Sequence, residues 1–298
     1  MPSSGPYDEY ALDPRAVRRG FDRASASYAS AAGVQAEIRS RLLERLDLVK
    51  LQPETVLDLG SASGQSSRAL KDRYPKSQVI ALDASLPMLS EARRAQGLLR
   101  RFQRVAADAH RLPIRAQAID LAFSNLMLAW CGDPDLVFSE TARVLRVGGL
   151  FMFTSLGPDT LQELRAAFRR IDAHTHVHRF IDMHDTGDAL MRAGFAEPVM
   201  DTERLTVTYP SADRLIDDLR RSGSLNATVG RRRGLLGRNA WGEVARHLEA
   251  NRDQGFLRVS VEVVYGHAWR AERSQRRGSA SGEIAIPISG IRKSLKRA

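Results

Sequence analysis

The spacing of apolar positions changes several times along this chain, and each change marks the start or end of a predicted element. Over 13–48 the residues Val17, Phe21, Tyr28, Val34, Ile38, Leu42 and Leu46 recur at helical steps or small multiples of them, which predicts an amphipathic front helix. From 54 to 155, short apolar runs at 54–59, 78–83, 103–107, 119–124 and 149–155 alternate with helical patterns near 64–73, 86–96 and 135–146. Such alternation predicts parallel strands joined by right-handed crossover helices, with helices on both faces and the strand ends along one edge. A helix is expected over 160–172, then a histidine-rich link, then a helix near 186–193 closed by Gly194.

Two long strands remain, at 199–208 and 259–269. The segment between them is too long for a hairpin loop and has helical patterns of its own at 211–222 and 239–252, with Leu215, Ile216, Leu219, Trp241, Val244 and Leu248 as apolar positions. It reads as a helical lid inserted over the strand-end edge. The expected fold is therefore α/β: a seven-stranded, mostly parallel sheet with helices on both faces, N-terminal helices and a lid between the last two strands. The expected divisions are 1–50, helical; 51–209, core; 210–256, lid; 257–271, last core strand; and 272–298, a basic tail.

Composition narrows the class. Hydrophobic residues at 43% and charged ones at 27% are ordinary for a globular protein and argue against membrane or disordered classes. No apolar stretch approaches the ~20 residues that span a bilayer, and 1–5 lacks a basic-then-apolar leader, so a cytoplasmic protein is expected. The single cysteine, Cys131, excludes an internal disulfide or a cysteine metal cluster, and beside Trp130 it reads as a packing residue. A net charge of +10 points to an anionic partner. Part of that excess sits in the segment from Arg270 onward, rich in Gly and Ser, which reads as a solvated, disordered tail; without interleaved aromatics it does not suggest nucleic-acid binding.

Chemistry collects at the strand ends. The run Thr55-Val56-Leu57-Asp58-Leu59-Gly60-Ser61-Ala62-Ser63-Gly64 is a buried strand breaking into a glycine turn, where backbone can approach a ligand at the edge that binds nucleotides in open α/β sheets. The next strand ends in Asp83, an acid that can accept both ribose hydroxyls of an adenosine. Asp108 follows the third, able to accept from an adenine amino group, and the fourth ends in Ser124-Asn125. Together these predict an adenosine-containing cofactor.

The glycine turn, Asp83-Ala84-Ser85-Leu86-Pro87-Met88-Leu89, Asp108-Ala109-His110-Arg111-Leu112-Pro113 and Arg143-Val144-Leu145-Arg146-Val147-Gly148-Gly149-Leu150 resemble the motifs of the class I S-adenosylmethionine-dependent methyltransferases over 50–155. That resemblance implies a Rossmann-like core. The flanks, Phe21-Asp22-Arg23-Ala24-Ser25-Ala26-Ser27-Tyr28, Phe123 to Trp130, Gly157-Pro158-Asp159-Thr160-Leu161-Gln162-Glu163-Leu164-Arg165 and Val264-Tyr265-Gly266-His267-Ala268-Trp269, resemble the malonyl-acyl-carrier-protein O-methyltransferase family of biotin synthesis. A mitochondrial complex I assembly factor of the same fold, from a family of arginine hydroxylases, is similar over much of this length; Tyr265-Gly266-His267-Ala268-Trp269 favours the methyltransferases. A methyltransferase of some other small molecule is the third reading.

The resemblance implies S-adenosylmethionine as methyl donor, held by Tyr28, Asp58, Gly60, Ser61, Gly64, Asp83, Ala84, Met88, Asp108, Ala109 and Asn125. The acceptor would be the free carboxylate of a malonyl group on acyl carrier protein or on coenzyme A, giving the methyl ester that primes pimeloyl and biotin synthesis. Tyr28, Asn125 and Arg165 are the expected catalytic residues, with Arg165 or Arg23 gripping the carboxylate as a bidentate fork. Ala62 departs from the family's usual middle glycine; if the position needs positive φ, an alanine there is disfavoured by ~1–2 kcal/mol. His174, His176 and His178 would share one side of a strand, but no acid motif or cysteine completes a site, so no metal is expected. His267 reads as a core histidine. Arg231, Arg232, Arg233 and Arg238 form a candidate docking surface for the acidic carrier, and the protein is expected to act as a monomer without membrane or nucleic acid.

Overall fold

The computed structural model describes residues 10–97 and 100–272. In chain order its elements are α1 Pro14–Ala31, α2 Gly33–Arg45, β1 Thr55–Leu59, α3 Gln65–Arg73, β2 Gln78–Asp83, α4 Leu86–Ala95, β3 Gln103–Ala106, β4 Ile119–Asn125, α5 Pro134–Val144, β5 Leu145–Leu156, α6 Gln162–Phe168, α7 Met183–Arg192, β6 Phe195–Tyr209, α8 Ala212–Arg221, α9 Arg238–Glu249, β7 Arg252–Asp253 and β8 Phe256–Arg270. Strands run β3-β2-β1-β4-β5-β8-β6 across the sheet. The pairs from β3 to β5 are parallel, while β8 lies antiparallel to both β5 and β6. Chain order reverses between β1 and β4, and at their carboxyl ends an open sheet forms a crevice.

The parallel strands are buried on both faces and consequently read as continuous apolar runs. Val56, Leu121, Phe123 and Leu150 pack on one side with Ile38 and Leu42 of α2; Leu57, Leu59, Ala122 and Phe151 pack on the other with Phe138 of α5 and Leu190 of α7. A third cluster joins Leu164 and Phe168 of α6 to Leu215, Val244 and Leu248 of the lid helices and to Leu257 and Val259.

Several bounds differ from expectation. The front helix is two helices. Asp13 caps α1, accepting from the amides of Arg15 and Ala16 at 3.0 and 3.1 Å, with Pro14 in the first turn. The chain then leaves helical geometry at Ala32 (φ −84°, ψ 44°) before Gly33. The break lets α1 reach α4 and α8 while α2 lies on the sheet, two directions that one straight helix cannot serve. Helix α6 is shorter than the expected 160–172, and α7 starts earlier because Asp182 caps it. Strands β5, β6 and β8 are longer, and β7 pairs with the start of β8, so among the described residues the sheet has eight strands instead of seven. His174, His176 and His178 lie in a loop, not on one side of a strand. Among the described residues no helix is long and apolar enough to cross a membrane. The basic tail from 273 onward lies outside the described residues.

Candidate active site

A cavity of about 1200 Å³ opens at the carboxyl ends of β1, β2 and β4. Its floor is the turn after β1. Gly60 has φ +78°, and a Cβ there would collide with the Met127 side chain; both residues line the cavity. The amides of Gly60 and Ser61 donate to the Leu82 carbonyl at 2.8 and 3.0 Å, which binds the turn to β2. Ala62 does adopt positive φ, +45°, and its amide donates to Asp83 Oδ2 at 2.8 Å. Its strain is the consequence of bringing that amide to the acid.

Asp83 sits on the wall at the end of β2, accepting from the amides of Ala62 and Ser85, each at 2.8 Å. Burial pushes its pKa up, against the pull of those amides. The Ser85 hydroxyl donates to Asp22 of α1 at 2.6 Å, so the front helix is tied to the loop that carries the acid. Ala84, Met88 and Ala109 line the same side. Asp108 also lines it, exposed, and bonds the amide and ring of His110 at 2.9 and 2.6 Å; burial raises its pKa, but these bonds hold it below the usual carboxylate range.

Three expected cofactor residues do not line the cavity. Asp58 lies beneath the turn, 1% exposed, accepting from the Ser67 hydroxyl, while Oδ1 has no partner. Burial, with Asp83 adding, pushes its pKa up to about 7 despite the Ser67 bond and Arg39. Ser61 is buried with its hydroxyl unpartnered. Gly64 opens α3 in the left-handed conformation (φ +79°), where a Cβ would come 2.8 Å from that of Ala92, so it serves helix packing. These three shape the turn from behind.

Tyr28 lines the cavity, its phenol kept neutral because burial, helped by Asp83 and Asp58, pushes its pKa up to about 12. Asn125 also lines it, but its amide is committed: Nδ2 donates to the Gln35 carbonyl at 3.1 Å and Oδ1 accepts from Thr154 at 3.0 Å. It joins α2 to β4 and β5, and holds the wall in place. Arg165 is corrected most. It is absent from the lining; its fork donates to the carbonyls of Pro158 and Thr160 at 3.0 and 3.2 Å, bracing the turn before α6. Arg23 is exposed and likewise off the wall. The arginines that do line the cavity are Arg15 and Arg18 of α1 and Arg214 of α8, all exposed at its rim.

Two arginines of the basic loop bond within the chain, and of these Arg232 remains exposed. Arg231 donates to the Thr228 carbonyl at 2.7 Å and to Asp13 at 3.3 Å; Arg232 pairs with Asp172 at 3.0 Å. Arg233 and Arg238 are exposed. His176 pairs with Asp172 at 2.8 Å and stacks on Phe168, whereas His178 is buried between Trp130 and Phe180. Among the described residues no group of side chains is arranged to hold a metal. His267 is half-buried on β8. Cys131 lines the cavity with its thiol pushed up to about 12 by burial, so it packs and does not attack.

The cradle suits an adenosyl group: backbone within reach at Gly60, an acid at Asp83 and apolar walls at Leu82 and Met88. The volume exceeds the usual ~300–1,000 Å³ of a single-ligand pocket, leaving room for a second group under the lid. That second chamber is lined by Leu161, Leu164, Phe168, Tyr209, Val259 and Val261. Leu161 and Leu164 sat in a quoted motif, but no local signal placed any of the six on a cavity; they come from α6 and the residue before it, β6 and β8, which periodicity describes only as core. Asp22 and Trp130 sat in quoted motifs, as did their partners Ser85 and Phe21, but nothing local joined the pairs.

Residues 57–153 match a family model described as a methyltransferase domain. Over 271 residues the chain is 49% identical to a malonyl-[acyl-carrier protein] O-methyltransferase of Methylovorus sp., covering 89% of this chain and 92% of the relative. A protein of the same name from Laribacter hongkongensis is 48% identical over 287 residues, covering 94% and 97%. Among solved structures, the YcgJ protein of Bacillus subtilis aligns with a TM-score of 0.55 at 16% identity, covering 78% of this chain and 98% of that one. Phosphoethanolamine N-methyltransferase 2 of Haemonchus contortus, solved with S-adenosyl-L-methionine, aligns with a TM-score of 0.53 at 16% identity, covering 84% and 57%. At those identities the structural likeness shows the fold alone.

Proposed function

The chain belongs to the malonyl-[acyl-carrier protein] O-methyltransferase family, and from that membership we propose that it methylates the free carboxylate of a malonyl thioester carried on acyl carrier protein. S-adenosylmethionine is the methyl donor, supplying an electrophilic methyl group on a sulfonium sulfur. The observation that carries the reading is one cavity joining the strand-end cradle to a lidded chamber, with no free base among the described residues of the wall near the cradle. Tyr28, Cys131 and His178 are held neutral, and Asp83 and Asp108 are engaged by amides or by His110. A carboxylate with a pKa near ~4 is ionised at neutral pH and needs no base. What the chain must supply is alignment and a dry chamber.

In this reading Asp83 accepts the ribose hydroxyls, Gly60 and Ala84 let backbone close on the donor, Met88, Asp108 and Ala109 flank the base, and Tyr28 and Asn125 border the methionine end. The lid, 210–256, works as a unit with α1. Asp13 and Val229 donate their amides to the carbonyls of Ala227 and Ala11 at 2.9 and 2.8 Å, and Arg231 bonds Asp13 across the same seam. The carrier docks at the rim, where Arg15, Arg18 and Arg214 attract its acidic surface; this replaces the triplet at 231–233 as the docking surface. We take the enzyme to act as a monomer and the reaction to be cytoplasmic.

The test is transfer of labelled methyl from S-adenosylmethionine to malonyl-carrier protein, with malonyl-coenzyme A and acetyl-carrier protein run alongside. Label should appear as a base-labile ester on the malonyl carrier and be absent from the acetyl one. Added salt should raise KM for the carrier more than for coenzyme A thioester. Bound cofactor with no label on any malonyl thioester would overturn the reading.

A further inference from the structure

His178 stands out from the rest of the cavity wall. It is 4% exposed, it lines the cavity, and its Nδ1 has no hydrogen-bond partner. Trp130 and Phe180 hold the ring edge-on from two sides, with centroids 4.7 and 4.6 Å away, and Phe21 of α1 packs against Trp130 at 5.2 Å. The contrast with His176, two residues earlier, is plain: that ring is paired with Asp172 and stacked on Phe168. Proteins seldom bury an imidazole nitrogen without a partner, because desolvation is then uncompensated. A ring that stands on a cavity wall with no polar partner in the protein is therefore where a ligand's polar atom is expected.

The position specifies which part of the ligand. Met127 packs over Gly60 at the cradle, and the Trp130 amide closes a turn onto the Met127 carbonyl at 2.9 Å. His178 packs edge-on against that tryptophan, so it borders the cradle from the side of the lidded chamber. Leu161, Leu164, Phe168, Val177 and Phe180 give this cavity apolar wall. Burial, with Arg165 nearby adding to it, pushes its pKa down to about 4, so the ring is neutral in ordinary buffer. A neutral imidazole offers one N–H donor and one lone pair. It can hold a carboxylate oxygen by a hydrogen bond without the full charge that would quench the nucleophile.

We propose that His178 is a substrate-binding residue that donates its ring N–H to one oxygen of the malonyl carboxylate, leaving the other oxygen to meet the methyl group. The proposal rests on the methyltransferase reading above. Trp130 and Phe180 fix the plane of the ring, so the donor points one way before substrate arrives, and ordering it on binding costs little.

The experiment compares His178→Phe, which keeps an aromatic ring but no donor, with His178→Asn and His178→Gln, which restore an amide N–H near one ring nitrogen or the other. Melting temperature, S-adenosylmethionine affinity, and kcat and KM for malonyl-carrier protein are measured for each. His178→Phe should melt close to wild type and bind cofactor within about twofold. Its kcat/KM should fall by roughly 10- to 100-fold, the range for losing a bond to a charged group. At least one amide variant should recover about fivefold or more of that loss. Activity of His178→Phe within about threefold of wild type would overturn the proposal, as would equal loss in all three variants. If the phenylalanine variant does not fold, the amide pair decides: near-normal cofactor binding with one amide markedly more active than the other supports the bond, and two equally inactive amides refute it. Inactivity of the wild-type enzyme on every malonyl thioester would instead bring down the methyltransferase reading itself.

Discussion

Asp58→Asn should flatten the dependence of stability on pH. Asp58 is 1% exposed beneath the cofactor turn, with one oxygen bonded to Ser67 and the other unpartnered, and burial raises its pKa to about 7 from an ordinary 3.8. In the folded state it therefore keeps a proton that the unfolded chain has already released between pH ~4 and ~7. Folded pKa above unfolded means that stability falls as pH rises through this window and levels off above it. The difference is roughly 3 pH units; at 1.36 kcal/mol per unit the ceiling is about 4 kcal/mol, and relaxation and the higher effective dielectric of real interiors bring the expectation to about 2 kcal/mol. Asparagine keeps an oxygen for Ser67 but has no charge to bury, and its amide group, if left unpaired, costs about 1–3 kcal/mol at every pH. The variant should thus be the weaker protein near pH 4.5 and should close the gap or overtake wild type by pH 8. Urea denaturation followed by tryptophan fluorescence from pH 4.5 to 8.5 measures this directly, since other titrating groups are common to both proteins and cancel in the difference. A difference constant within about 0.5 kcal/mol across the range would show that Asp58 does not titrate there, and would refute the reasoning.

Gly60→Ala should cost about 1–2 kcal/mol from its positive φ alone, and more from the collision with Met127; cofactor affinity should drop over tenfold by calorimetry, and unchanged affinity would remove Gly60 from the cradle. Ala62→Gly relieves the strain at φ +45° but adds unfolded-state entropy, so the net gain should be about 0.5–1 kcal/mol in thermal denaturation, with cofactor binding at least as tight; a loss of stability would contradict the strain argument. Asp83→Ala should abolish measurable cofactor binding while the fold survives, read by calorimetry and circular dichroism; retained binding would sink the assignment of Asp83 to the ribose.

Local pattern carried much of this structure. Alternating apolar runs and helical stretches are properties of a few neighbouring residues, and burial on both faces leaves such runs whatever lies further along the chain. The parallel core, its strand-end edge, the inserted lid and the acid at the end of β2 could therefore be read directly. So could the glycine turn, because a left-handed backbone is a local demand that glycine meets. The motifs likewise carried the family, since they lie along those strand ends.

What each polar side chain does was decided by partners far away in sequence. Arg165 looked like a carboxylate fork, but its two terminal nitrogens bond the turn at Pro158 and Thr160, and Arg231 looked like a docking group, but it reaches Asp13, 218 residues away. Asn125 is committed to Gln35 across 90 residues, and the front helix breaks at Ala32 because its halves must meet different neighbours. His178 carried no distinguishing mark beside His174 and His176; only the convergence of Trp130, Phe180 and the cavity wall set it apart. The sequence by itself determined the scaffold and the strand-end edge at which the cavity opens, since both depend on short-range periodicity. Tertiary structure alone decided which side chains stand on the wall and which brace it from behind, because a hydrogen bond satisfied by a distant partner leaves no trace in local pattern.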